Sequence, residues 1–157
     1  LMSLSAIRAA VVGKLQSVPG IGLVHDYERF ARSEKDFRTL YQAAPDGPIL
    51  GWHVRRVATR STGGPLDGFG PPTDAHTWEI RGFMALDDAG ASEHGFDGLI
   101  EAIREAFRAD DTLGGAVATC ATPEAEGVQV LESGPAMFAG VLCHTARLAL
   151  TTISATY

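Results

Sequence analysis

The chain has 157 residues, 45% of them hydrophobic and 20% charged, with a formal net charge of −6 at pH 7. That length suits one domain with a real core, and the acidic balance argues against sequence-specific binding of nucleic acid, which calls for a basic patch or stripe. No apolar run reaches the ~18–20 residues of a membrane span, and the first residues lack the basic-then-apolar order of a secretory signal, so the expectation is synthesis in the cytosol and no membrane partner.

Leu1 precedes Met2 and reads as a start-site artefact. In "SLSAIRAAVVGKLQSV" (3–18), Leu4, Ile7, Val11, Leu15 and Val18 recur at spacings of three and four and predict a helix, with Ser3 or Ser5 as cap and Pro19-Gly20 as stop. "IGLVHDYERF" (21–30) alternates through Ile21, Leu23, His25 and Tyr27 and predicts a strand. "SEKDFRTLYQAA" opens with Ser33 and places Asp36 three residues on, a capping-box-like start to a short helix. "PDGP" (45–48) marks a turn.

"ILGWHVRRVATRS" (49–61) and "HTWEIRGFMAL" (76–86) read as two strands, the second with Trp78, Ile80 and Met84 on one face and Glu79 and Arg81 on the other. They flank "STGGPLDGFGPPTDA" (61–75), which predicts the tip of a long hairpin. Residues 92–109 predict the clearest helix: Ser92 as cap, Phe96, Leu99, Ile100, Ile103 and Phe107 as apolar stripe, and Glu101, Arg104, Glu105 and Arg108 on the wet side. "DDTLGGAV" ends it, where Gly114 and Gly115 can take positive φ and Leu113 packs back. A short strand near 115–120, a strand in "GVQVLES" and one long strand through "AMFAGVLCHTARLALTTISA" complete the order α-β-α-β-β-α-β-β-β. Phe138, Leu142, His144, Ala146, Leu148 and Leu150 share a face of that final strand. The expected fold is α+β: a single mixed, mostly antiparallel sheet, helices packed on one side, and a long β-hairpin loop. Residues 3–155 form one domain in this reading, because the chain on both sides of the loop is needed to complete one sheet.

The catalytic patterns are missing where they would be expected. "GGPLDGFG" has no Lys-Ser/Thr ending and leads into a strand, whereas a phosphate cradle sits at a helix N-terminus. His25, His53, His76, His94 and His144 include no i, i+4 pair, and Cys120 and Cys143 form no C-x-x-C. His53, His76 and His144 on neighbouring strands read as ordinary strand histidines, and the two cysteines as buried free thiols. Ser133 in "LESGPA" lacks the second glycine of a nucleophile elbow. His94, beside Glu93 and Asp97, falls in the first turn of a helix, where acidic neighbours suit the dipole. Asp87-Asp88 and Asp110-Asp111 read as solvated helix boundaries. No catalytic residue, cofactor or metal ligand is predicted.

The layout of an amphipathic helix, a strand, a long-looped hairpin, a helix "FDGLIEAIREAF" and the turn "DDTLGGAV" before closing strands resembles the tail-terminator (tail-completion) proteins of long-tailed bacteriophages. The most suggestive piece is "LIEAIREAFRADDTLGGAV" (99–117) with its Leu-Gly-Gly turn. The resemblance covers roughly residues 3–155 and lies in layout and short patterns. It implies a homo-oligomeric ring, commonly a hexamer, that caps the tail tube and presents a surface to the head connector in the neck of the virion. It also implies heterologous subunit contacts and no active site. On that reading Arg55, Arg56 and Arg60 are candidates to pair with acidic residues of a neighbour. Leu66, Asp67, Phe69, Pro71 and Pro72 belong to the docking loop, with Phe69 as anchor. The alternatives are another head-closure or tail-to-head adaptor protein, a small α+β enzyme or ligand-binding domain, or a cellular protein with a plain oligomerisation role.

Overall fold

A computed structural model describes residues 2–42, 47–63 and 71–155. Helix α1 spans Leu4–Gln16; the Ser3 hydroxyl accepts the Ala6 amide at 3.1 Å and caps it, and Ile7, Val11, Val12 and Leu15 are buried. A short strand β1, Leu23–His25, leads to α2, Glu34–Tyr41, where Ser33 accepts the Asp36 amide and Phe37 and Tyr41 are buried. The hairpin follows as β2, Leu50–Thr62, and β3, Thr73–Ala85. Helix α3 covers Ser92–Ala109, and β4, Gln129–Phe138, and β5, Val141–Ala155, close the chain.

The strands form one sheet in the order β1-β2-β3-β5-β4, with β1 parallel to β2 and every other neighbour antiparallel. This is the mixed, mostly antiparallel α+β sheet expected from the sequence. Side chains alternate across it with a period of two. Trp52, Val54, Trp78, Ile80, Ala146, Leu148 and Leu150 therefore share one face, where they meet Val11 and Leu15 of α1 and Phe96, Ile100, Ile103 and Phe107 of α3. Trp52 stacks on Phe96 at 5.6 Å and donates its indole N–H to the Ile21 carbonyl at 2.8 Å, so the largest core side chain leaves no polar atom unpaired. Both long helices lie on this face. The short α2 lies on the other, so the expectation of helices on one side holds for α1 and α3 but not for α2, whose Phe37 and Tyr41 pack with Ile49, Phe83 and Cys143 in a second, smaller core.

Four local expectations differ from the structure. The strand predicted over 21–30 is confined to Leu23–His25. The stretch near 115–120 is not a strand: turns run from 111 to 116, the Thr112 carbonyl accepts the Gly115 and Val117 amides, and Thr119 alone bridges to Ile153. The long closing strand is a hairpin, because Ala139 (φ 49°) and Gly140 (φ 83°) turn the chain between Phe138 and Val141, and Phe138 therefore packs in the smaller core and not on the face of Ala146, Leu148 and Leu150. Positive φ at both central residues is the two-residue turn whose twist suits a hairpin, yet Ala139 supplies none of the usual Asn or Asp signal. Ser92 is not the cap of α3. Ala91 occupies that position in the left-handed region, with no side-chain cap, while the Ser92 hydroxyl reaches back to accept the Asp87 amide at 2.8 Å. At the far end of α3, Gly114 and Gly115 do take positive φ and Leu113 is buried, as expected, although Leu113 itself also has φ 51°.

Candidate functional site: two unlike sheet edges and the distal hairpin

β1 pairs only with Gly51–His53 of β2, so among the described residues no strand covers β2 from Val54 to Thr62 on its outer side. Residues 55–63 are all exposed. β3 is held along its whole length on its other side, from Thr73↔Ala155 to Ala85↔Cys143, so the hairpin is supported from within even though β2 is an open edge. An open edge is a row of backbone donors and acceptors ready to pair with another chain.

The three candidate arginines do not form one cluster. Arg55 pairs in register with Glu79, which lies on the face away from α1 and α3. Arg56 pairs with Trp78 and lies on the opposite, helix-bearing face. A bulge at Arg56/Ala58 then resets the alternation, so that Thr59 stands beside His76, with 2.8 Å between hydroxyl and Nδ1. Arg60, opposite Ala75, is thereby returned to the face of Arg55. Arg55 is committed within the chain, at 3.2 Å from Glu79 and 3.4 Å from Glu28. Arg56 donates to the Thr59 hydroxyl at 3.2 Å. Arg60 is exposed, as are Pro71 and Pro72 at the root of β3, while Leu66, Asp67 and Phe69 lie outside the described residues. From Leu50 to Thr62 there is no acidic residue, so this edge is basic.

β4 forms the opposite edge and differs in chemistry. Val130, Leu131 and Met137 are exposed apolar side chains along it, and its one charge is Glu132, which stands 3.8 Å from Arg147. A bulge between Val130 and Glu132 puts Leu131 outside the alternation. Sequence reasoning overlooked this edge. The available signal was the run Val130-Leu131, two apolar residues in succession where a half-buried strand alternates.

Away from the edges, a cavity of about 380 Å3 lies between the start of α3 and the β4–β5 pair. There the Ser92 hydroxyl stands 2.7 Å from His144 Nε2, and His144 is buried and stacked on Phe96. Asp88, Glu93, His94, Asp97 and Ser133 also line it. The hydroxyl accepts the Asp87 amide as well, which ties it to the loop before α3. His76 and His144 face the long helices and His53 faces α2, so the three strand histidines do not converge. No group of three His, Cys, Asp or Glu side chains among the described residues could hold a metal ion.

Cys120 sits in the larger core and Cys143 in the smaller, both free; burial pushes the first thiol up to about 12 and the second to about 11. Neither is available as a thiolate near neutral pH. No helix among the described residues is long and apolar enough to cross a membrane. No family model matches the chain, and no curated protein matches it in sequence.

Proposed function

We propose that this protein is a structural assembly component that closes into a homo-oligomeric ring, on the pattern of a phage tail terminator. Such a ring caps the tail tube and offers its outer surface to the head connector. The observation that carries the reading is the pair of unlike open edges on one sheet. The basic outer half of β2 stands at one end, and the apolar β4 edge with Glu132 at the other. Two different patches on opposite sides of a subunit associate head to tail, and head-to-tail contacts form a ring where the rotation between subunits closes and an open filament where it does not. The exposed outer half of β2 suits a docking surface, and the net charge of −6 keeps the free subunit soluble before assembly.

Light scattering and negative-stain imaging of the purified protein, alone and with polymerising tail-tube subunits, test this. Rings of uniform size that arrest tube growth are expected. A protein that remains monomeric at high concentration and leaves tube growth unchanged would overturn the reading in favour of another neck component.

One observation favours a second reading, an enzyme of the acyl-transfer type. It is the Ser92–His144 pair beside the 380 Å3 cavity. A fluorophosphonate probe separates the two readings. The assembly reading expects no labelling of Ser92, and stoichiometric labelling lost in Ser92→Ala would replace it.

A further inference from the structure

On the face that carries α2, a cavity of about 170 Å3 is walled by Phe37, Tyr41, Phe83 and Phe138, with Phe30 at its rim. Phe30 is 81% exposed and so is not part of the core it borders. Pockets for drug-sized ligands run to roughly 300–1,000 Å3; this one has room for a single ring and a small polar group. His53 lies against the cavity and is 2% exposed. The Tyr41 hydroxyl is 3.2 Å from its Nδ1, whereas its Nε2 is buried and has no hydrogen-bond partner among the described residues. Buried polar atoms are paired in the great majority of cases, and an exception calls for an explanation.

The polar complement of the cavity is nearly all donor. Burial lowers the pKa of His53 and raises that of Tyr41 to about 12, so near neutral pH both are uncharged and the phenol keeps its proton. In the tautomer in which the Tyr41 O–H donates to Nδ1, the imidazole proton sits on Nε2. The Arg81 guanidinium lies over the rings of Phe83 and Phe138, at 5.5 and 4.9 Å, and makes no ion pair among the described residues. Arg29 is a second cation on the lining, stacked over Tyr27 at 5.0 Å. Glu28, the one carboxylate among the described lining residues, is engaged by Arg55 at 3.4 Å. Aromatic walls, the guanidinium groups of Arg81 and Arg29 and, in that tautomer, a buried imidazole N–H complement an anion with a flat apolar body.

We propose that this cavity binds a small aromatic carboxylate, its ring among Phe30, Phe37 and Phe138 and its carboxylate paired with the Arg81 guanidinium, within reach of His53. Arg suits this task because its planar fork meets a carboxylate with two parallel hydrogen bonds. The site lies on the α2 face, separate from the sheet edges that carry the assembly reading, and stands whether or not the protein forms rings.

Benzoate and its neutral isostere benzamide are the probes, titrated into the intact protein at neutral pH while the imidazole and aromatic NMR signals are followed. Benzoate is expected to bind with a dissociation constant of about 1 mM or below, shifting the His53 and Phe138 signals, and benzamide at least roughly tenfold more weakly. Arg81→Gln should weaken benzoate by about tenfold or more. Arg81→Lys keeps the charge and removes the fork, and should fall between the two if the pairing is bidentate. His53→Phe keeps a buried aromatic ring and removes both ring nitrogens; it should remain folded and bind benzoate several-fold more weakly. No shift of the His53 signal by benzoate would overturn the proposal. So would equal affinity for benzamide, or unchanged benzoate binding in a folded Arg81→Gln protein.

Discussion

Gly82 sets the spacing of the main core by having no side chain. It stands opposite Trp52 in the β2–β3 register, and a Cβ there would come within 2.2 Å of the indole ring. The ring cannot yield, since its other side stacks on Phe96 and its N–H is held by the Ile21 carbonyl. Gly82→Ala should therefore destabilise the fold by about 1–3 kcal/mol, read as a lower urea midpoint with an unchanged slope. A second prediction at this scale concerns pH. Burial holds the imidazoles of His53 and His76 below their ordinary value of about 6.5. Between the lowered and the ordinary value, the unfolded chain takes up protons that the native chain refuses. Stability from these residues is thus complete above about pH 6.5 and is lost as the pH falls toward the native values. Urea midpoints measured at about pH 7.5 and about pH 5 should differ less in His53→Phe than in the parent protein.

The β2–β3 hairpin is secured by β5, because β3 pairs with β5 from end to end. Deleting 63–72 and joining the strands with a short turn should leave the thermal transition nearly unchanged, while lowering ring formation or tail joining. Unimpaired assembly after that deletion would remove the docking role of the loop. Helix α3 behaves differently, since its buried stripe of Phe96, Ile100, Ile103 and Phe107 is the lid of the core. Phe107→Ala should cost about 3–5 kcal/mol, which circular dichroism would register as a largely unfolded chain if the parent is marginal. Its stripe was legible because four buried positions recur at spacings of three and four. Its first turn was not. Ser92 has the right chemistry for a cap, but Ala91 in the left-handed region starts the helix, and the hydroxyl is drawn to Asp87 and His144 instead. The β4–β5 turn escaped notice for a similar reason, because Ala139 takes a positive φ without the Asn or Asp that usually marks it.

At the scale of the whole molecule, the two sheet edges make the ring hypothesis specific enough to test by charge. Arg60 stands on the basic edge and Glu132 on the other, and each is exposed. If these edges meet between copies, Arg60→Glu and Glu132→Lys should each weaken self-association by about tenfold, and the double variant should recover much of it. Light scattering across a dilution series gives the measurement, and additive loss in the double variant would exclude a contact between the two residues. Arg55 is a poorer choice, because reversing it also breaks its pairs with Glu79 and Glu28 inside the chain.

Period-two and period-three-to-four patterns alone determined the α+β class, the three helices, and the faces of β3 and α3, because burial of one face is a local property of the sequence. They also placed the turn at Gly114-Gly115, where positive φ is needed. Pairing between distant strands is not local, and only the tertiary structure decided it. It alone revealed that β1 covers just three residues of β2, that β4 and β2 become the edges, and that a bulge after Arg56 returns Arg60 to the face of Arg55. The cavity at His53 belongs to the same class of fact. Its walls come from α2, β2, β3 and the end of β4, segments up to about a hundred residues apart in sequence that meet only once the sheet has formed.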